Sequence, residues 1–368
     1  MNLFDSILKP TLLLDERAVR ANIRRMALKA RSAGVAFRPH FKTHQSLEIG
    51  VWFREEGVEQ ITVSSLDMAE YFGHNGWNDI TLAFSTNLRQ LAGLDQLAGR
   101  IRLGLLVESI ETVAALGSGC QSSLDIWIKV DAGAGRTGLA WDRPELALEL
   151  AQQVRRFPQL RLRGLLTHAG NTYTAPNPPA AAEVFAAANG RMNLLRNELQ
   201  GRGLDPLLVS VGDTPGCSAA GDFQGVDEIR PGNFVFFDAL QYKIGACAFE
   251  DIAVALACPV VALHPEKGEA VIYGGAIHLS KDTLSWQGER VYGLVCRVEN
   301  GRWGSPLPGG VVARISQEHG VLRLEAKDLA GLRVGDLVCV LPAHSCLTAQ
   351  CMGRYLSLDG HWIEMMRA

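Results

Sequence analysis

From about residue 35 to about residue 240 the chain repeats one pattern eight times, a short aliphatic or β-branched run followed by an amphipathic stretch. The strand candidates are Val35–Phe37, Gln60–Ser64, Asp79–Phe84, Arg100–Val107, Leu124–Val130, Leu160–Thr167, Leu207–Val211 and Glu228–Phe234. Helix-like segments between them include Ser65–His74, Ser109–Leu116, Pro144–Phe157 and Ala180–Leu199. Alternation of this kind points to a parallel (β/α)8 barrel of the TIM type. An open doubly wound sheet is the alternative, but no Gly-x-Gly-x-x-Gly turn follows the first strand.

After about residue 245 the texture changes. Runs such as Ile252–Leu256, Glu269–Tyr273, Val291–Val298, Gly310–Ile315, Val321–Leu324 and Asp336–Leu341 are separated by turns, among them Glu299-Asn300-Gly301 and Glu318-His319-Gly320. This is the pattern of an antiparallel β domain. The expected division is a barrel over residues 10–245 and a β domain over residues 246–368, with residues 1–9 associated with the latter. An early run, Thr11–Asp15, precedes the barrel pattern and is a candidate to pair with the β domain.

A net charge of -3 gives no electrostatic footprint for nucleic acid or an anionic membrane. No apolar run reaches the roughly 20 residues needed to span a bilayer, and Met1-Asn2-Leu3-Phe4-Asp5 lacks the basic start and apolar core of a signal segment. The eight cysteines, scattered from Cys120 to Cys351, read as reduced thiols of a cytoplasmic protein, some of them available as ligands.

In such barrels functional groups collect at the C-terminal ends of the strands. The first strand runs into Arg38-Pro39-His40-Phe41-Lys42-Thr43-His44, and Lys42 is one of only eight lysines in 368 residues. A primary amine at the end of a buried strand has a lowered pKa, which suits imine formation with a carbonyl such as that of pyridoxal phosphate; the alternative is a lysine reaching into solvent. The fifth strand ends in Lys129-Val130-Asp131 and a glycine loop carrying Arg136-Thr137-Gly138. The sixth ends in Thr167-His168-Ala169-Gly170 and Tyr173, the seventh in Gly212-Asp213-Thr214-Pro215-Gly216, and the eighth in Arg230-Pro231-Gly232-Asn233. Small and hydroxyl residues on the last two strands are what a phosphate site needs.

Taken together, these segments, with Pro10-Thr11-Leu12-Leu13-Leu14-Asp15 and Pro342-Ala343-His344-Ser345-Cys346, resemble the fold-type III pyridoxal phosphate enzymes across essentially the whole chain. That group includes alanine racemase, D-serine dehydratase, D-threonine aldolase and D-threo-3-hydroxyaspartate dehydratase. The resemblance implies that Lys42 holds the cofactor and then serves as the base at Cα. It implies that Arg136 bonds the phenolic oxygen, that His168 lies against the ring, and that Tyr173 borders it. It further implies that Thr214 and the backbone of Gly232 and Asn233 hold the phosphate, and that Arg230 faces the pyridine nitrogen. A permanently cationic partner there keeps that nitrogen unprotonated and weakens the electron sink.

His344 and Cys346 stand two apart after Asp336–Leu341, so an extended backbone would place both on one face. Imidazole with thiolate suits zinc, and two protein ligands leave positions open for water and substrate. The dehydratases carry His-x-Cys at this point and the aldolases His-x-Asp. The resemblance therefore implies a metal-assisted dehydratase that takes a β-hydroxy D-amino acid to a 2-oxo acid and ammonia. The alternatives are an aldolase giving glycine and an aldehyde, then a racemase, then a non-catalytic cofactor carrier. It also implies a homodimer. His278 and His319 are further candidates near the site, with packing or turn roles as the alternative, and Cys351 reads as a core thiol.

Overall fold

The computed structural model describes residues 3–204 and 206–366; residues 1, 2, 205, 367 and 368 of the expected spans lie outside the described residues. The chain forms two compact units, one from residues up to Ile23 together with those from Asn233 on, the other Arg24–Gly232. After β1 (Thr11–Leu14), the second unit carries β2 (Ala36–Phe37), β3 (Ile61–Val63), β4 (Asp79–Ser85), β5 (Arg102–Val107), β6 (Leu124–Asp131), the short β7 (Leu139–Ala140), β8 (Leu160–Leu166), β9 (Leu208–Val211) and β10 (Glu228–Ile229).

Eight of these strands pair in parallel in the order β2-β10-β9-β8-β6-β5-β4-β3, with β7 attached to β6. One bridge, His40 to Thr62, joins the ends of that order. There the Thr62 N–H donates to the Pro39 carbonyl and the Phe41 N–H donates to the Thr62 carbonyl, both at 2.9 Å. The barrel expected from the alternation is thus present, with helices opening at caps the sequence supplies. Ser65 and Ser109 accept the Met68 and Thr112 N–H groups, so the helices run Leu66–His74 and Ile110–Gly119. The last barrel strand is shorter than expected. It stops at Ile229 because Pro231 has no N–H to give the ladder, and Asn233–Val235 turn into a 3-10 helix instead.

Buried apolar side chains of the barrel cluster around Leu106, Trp127 and Leu166, and buried charged groups stand beside them. Arg38, nearly buried, is ion-paired to Glu228 and Asp79, each at 2.6 Å. Its Nη2 also donates to the Gln60 side chain at 2.8 Å.

The other unit is antiparallel. It holds β11 (Val254–His264), β12 (Glu269–Tyr273), the hairpin of β13 (Leu284–Trp286) and β14 (Glu289–Val291), β15 (Gly293–Glu299), β16 (Arg302–Ile315), β17 (His319–Arg323), β18 (Leu337–Pro342), β19 (Arg354–Ser357) and β20 (Trp362–Glu364). The order β12-β17-β16-β15-β18-β11 closes on itself because β11 also pairs with β12. β1 joins this sheet, antiparallel to β11 and parallel to β19. Asn300 and Gly301 both take positive φ, 51° and 75°, which makes the tight β15–β16 turn. The residues around His319 do not form the expected turn; His319 pairs with Tyr273 at the start of β17, and the reversal falls just before it. No helix among the described residues is long and apolar enough to cross a membrane.

Removing one partner of a buried ion pair leaves an uncompensated charge. Arg38→Ala is therefore expected to lower stability by about 3–5 kcal/mol. A urea midpoint within experimental error of the parent's would show that the two carboxylates do not depend on this guanidinium.

Candidate active site

Directly after the closing bridge the chain turns at residues 41–44. Phe41 takes the buried position and packs its ring against Phe53, Trp77 and Phe72 at centroid distances of 4.9, 5.0 and 5.1 Å. Thr43 and His44 are buried as well, which leaves Lys42 exposed between them. The expectation of an amine at a buried strand end is corrected here, because Phe41 fills that place and Lys42 is presented outward. The turn is held from below by Gln45, which sits at φ +48° and donates to the Lys42 carbonyl at 3.1 Å.

The charged groups acting on His40 beside this turn are Lys42, Arg230 and Arg136. Burial and these cations hold His40 well below the ordinary imidazole range. His168 is pushed down to about 3, by burial first and then by Arg136. A neutral His168 whose Nδ1 meets the Gly212 carbonyl must carry its proton there, so Nε2 keeps the lone pair.

Arg136 is exposed on a loop whose shape is fixed by two carboxylates. Asp131 Oδ1 accepts the N–H groups of Gly133 and Ala134 at 2.9 Å and of Gly135 at 3.1 Å. Glu108 accepts the Gly138 N–H at 2.6 Å and the Ser85 hydroxyl. Gly138 has φ +111°, and a Cβ there would lie 2.6 Å from the Asp131 nitrogen, so no other residue fits the turn.

Tyr173 follows His168 on a short 3-10 turn, their ring centroids 6.2 Å apart, and its hydroxyl accepts the Thr214 N–H at 3.4 Å. Asp213 ties this turn to the helix Thr214–Ala219. Its Oδ1 accepts the Thr172 hydroxyl at 2.7 Å and the Gly216 N–H at 2.6 Å. Among the described residues its Oδ2 is buried without a hydrogen-bond partner, and burial raises the carboxyl to about 7.

Arg230 is buried. Its Nε donates to Ser210 Oγ at 2.7 Å and Nη2 to the Thr167 carbonyl; burial pulls the guanidinium down to about 10. Gly212 and Gly232 allow close backbone packing: a Cβ on either would come within 2.7 Å of Arg230 or 2.9 Å of His40. The barrel mouth thus brings together Lys42, Arg136, His168 and Arg230, with Tyr173 and Thr214 joined to each other beside His168. An exposed amine among cations, two neutral imidazoles and a hydroxyl-rich turn make a donor set that fits a phosphorylated aldehyde such as pyridoxal phosphate.

The second cluster belongs to the β unit. His344 is extended, at φ −140° and ψ 114°, but it is the N-cap of the helix Ser345–Met352. The expectation of two extended residues sharing a face is therefore corrected: Cys346 lies in the first turn of a helix. Imidazole and thiol are still in hydrogen-bond contact. Burial opposes the charged imidazole, yet Cys346 and Asp238 hold its pKa well above the ordinary range. Asp238 Oδ2 sits 3.2 Å from His344 Nδ1, which leaves Nε2 as the nitrogen open to a metal. Among the described residues no third histidine, cysteine or carboxylate completes a metal group. The pair fits an open, two-ligand metal site with a carboxylate behind the histidine.

Asn233, expected to offer backbone to a phosphate, directs its side chain into this cluster. His278 packs its ring on Tyr273 at 5.3 Å and accepts the Gly275 N–H at 3.2 Å, and His319 is exposed on β17. Sequence reading missed Asp213, Asp238 and Glu108. The first two each precede a helix and read as N-caps, which was the only available signal.

Two family models match the chain, the alanine racemase N-terminal domain over residues 14–239 and the serine dehydratase domain over residues 253–358. D-threo-3-hydroxyaspartate dehydratase of Delftia sp. (strain HT23) is 33% identical over 364 residues, covering 95% of this chain and 94% of the relative. D-serine dehydratase of Dictyostelium discoideum is 28% identical over 376 residues, covering 94% and 92%. A solved D-threo-3-hydroxyaspartate dehydratase, a cysteine-to-alanine mutant in the metal-free form, superposes with a TM-score of 0.92 at 31% identity over 100% of both chains.

The Asp213 carboxyl has a testable consequence. Its pKa rises from 3.8 to about 7 on folding, so between those values the folded chain binds a proton that the unfolded chain releases. Stability should then fall as pH rises through that window, by on the order of a few kcal/mol. Asp213→Asn keeps the shape and should flatten this part of the stability profile. An unchanged slope of melting temperature against pH between about 4 and about 7 would assign the loss to other groups.

Proposed function

The chain belongs to the alanine racemase N-terminal domain family, a pyridoxal phosphate family, and from that membership we propose that it is a metal-dependent dehydratase taking a β-hydroxy D-amino acid to a 2-oxo acid and ammonia. Substrates of the kind processed by the similar enzymes, D-serine or D-3-hydroxyaspartate, and also D-threonine, fit this reading. The observation that carries it is the His344–Cys346 pair, imidazole and thiol in contact with a carboxylate behind the imidazole. The metal-free form given for a cysteine mutant of the dehydratase relative supports a metal in this role.

Pyridoxal phosphate would be held by Lys42, Arg136, His168, Tyr173, Thr214, Arg230 and the backbone of Gly232 and Asn233, and would supply the electron sink for charge developing at Cα. A divalent metal, zinc by the chemistry of the pair, would be held by His344 and Cys346 and would supply a Lewis acid for the departing β-hydroxyl.

The chain's own groups do the rest. The Lys42 amine, exposed on its turn, takes the proton from substrate Cα. Arg230 and Arg136, which act together with Lys42 on His40, give the mouth the positive charge that attracts a substrate carboxylate. Arg230, fixed by Ser210 and the Thr167 carbonyl, keeps a guanidinium in place without rotamer freedom. His168, neutral and held by the Gly212 carbonyl, offers a ring face rather than a charge. The same reading takes a homodimer as the assembly, from the family resemblance, and the cytoplasm as the location, from the scattered cysteines.

Purified protein should release 2-oxo acid from D-serine, D-threonine or D-3-hydroxyaspartate. Lys42→Ala should cost at least about 100-fold in turnover. Cys346→Ala and exhaustive EDTA treatment should each abolish elimination. Elimination that survives both would sink the metal-dependent reading, and acetaldehyde from D-threonine in place of 2-oxobutyrate would make the chain an aldolase.

A further inference from the structure

Behind His344 and Cys346 stand two buried polar side chains that neither family match assigns, Asn233 and Asp238. Asp238 is 0% exposed. Its Oδ1 caps the helix Ala239–Ile244 through the Gln241 N–H at 2.9 Å. Its Oδ2 collects the Asn233 amide at 2.8 Å, the Ser345 N–H at 3.0 Å, His344 Nδ1 at 3.2 Å and the Ser345 hydroxyl at 3.4 Å. Both oxygens of this side chain face donors, and an acceptor facing Nδ1 puts an imidazole proton on that nitrogen. With Nδ1 committed to Asp238, Nε2 is the nitrogen whose lone pair a metal would take on displacing its proton.

Asn233 acts on the other ligand. Its Nδ2 has two hydrogens and three acceptors in reach: Asp238 Oδ2 at 2.8 Å, Ser345 Oγ at 2.8 Å and Cys346 Sγ at 3.6 Å. The carboxylate decides which end of the amide faces inward, since the Asn233 carbonyl oxygen against Asp238 would be repelled. That carbonyl oxygen, Oδ1, is buried with no hydrogen-bond partner among the described residues. An unpaired buried acceptor is unfavourable. The amide is therefore retained for what its N–H groups do, and one of them approaches the Cys346 sulfur.

We infer that Asn233 and Asp238 are positioning residues for a metal at His344 and Cys346: Asp238 sets the tautomer and orientation of His344, and Asn233 steadies the Cys346 thiolate with an N–H donor. This deepens the metal-dependent reading above and rests on it. It also gives Asn233 a side-chain role that its place after Gly232 did not suggest.

The measurement is zinc affinity of the full-length protein, by competition with a chromophoric chelator, for the parent, Asp238→Asn and Asn233→Ala. Asparagine is as good an N-cap as aspartate, so the first variant keeps the helix start and removes only the charge. It is expected to weaken zinc binding by about 10–100-fold. In a 15N-histidine spectrum it should also remove the preference for a protonated His344 Nδ1. Asn233→Ala leaves Asp238 in place and should weaken zinc by about tenfold; it decides alone if Asp238→Asn does not fold. If the parent binds zinc and the folded variants match it within about twofold, the positioning roles are wrong while the dehydratase reading stands. If the parent itself binds no zinc, the metal-dependent reading falls and this inference with it.

Discussion

Glu228 is the group on which the polar interior of the barrel depends. It is a nearly buried carboxylate whose Oε2 takes the Arg38 Nε–H at 2.6 Å and whose Oε1 takes the Ser210 hydroxyl at 2.7 Å. Ser210 in turn receives Arg230 Nε at 2.7 Å. One anion thus serves two buried guanidiniums, the nearer directly and the farther through a hydroxyl. The strand period makes this possible, because Glu228 and Arg230 are two apart and Glu228 pairs in register with Ser210. Buried charge is tolerated only when its hydrogen bonds are complete, and here each carboxylate oxygen has its donor. The position of Arg230 at the mouth is consequently fixed from underneath.

Two aspartates show how differently a buried helix-capping carboxyl can be supplied with donors. Asp213 and Asp238 both cap a helix and both bind a second element of their own unit. Asp238 divides the work between its oxygens and gathers donors on each. Asp213 loads both bonds onto Oδ1 and leaves Oδ2 bare, so desolvation wins and its carboxyl rises to about 7. Identical side chains in similar local roles are therefore furnished with donors differently, and the difference lies in tertiary surroundings.

That is also where legibility in the sequence ends. The eight βα runs and the strand-end residues Lys42, Arg136, His168, Thr214 and Arg230 were readable, because strand period and glycine placement are local signals. The β-domain runs were readable for the same reason. Lys42 was misjudged in its burial, since the sequence does not say that Phe41 would claim the inward position among Phe53, Phe72 and Trp77. The His344–Cys346 spacing suited a strand, but the helix Ser345–Met352 begins between the two residues. Asp238 carries no such local signal for its role, because its bond to a histidine 106 positions later is a product of the fold alone.

The single bridge between His40 and Thr62 has a mechanical meaning. Elsewhere the barrel wall is a ladder of several rungs, but β2 and β10 contribute two residues each, and the β2–β3 side is joined at one point. The wall is thinnest along this seam, and Lys42 sits two residues beyond it. A hinge is cheapest where the fewest hydrogen bonds must bend. The turn that carries Lys42 therefore leaves the wall where the fewest rungs tie it to the next strand, and its position rests on the Phe41 ring and the Gln45 side chain instead of on a ladder.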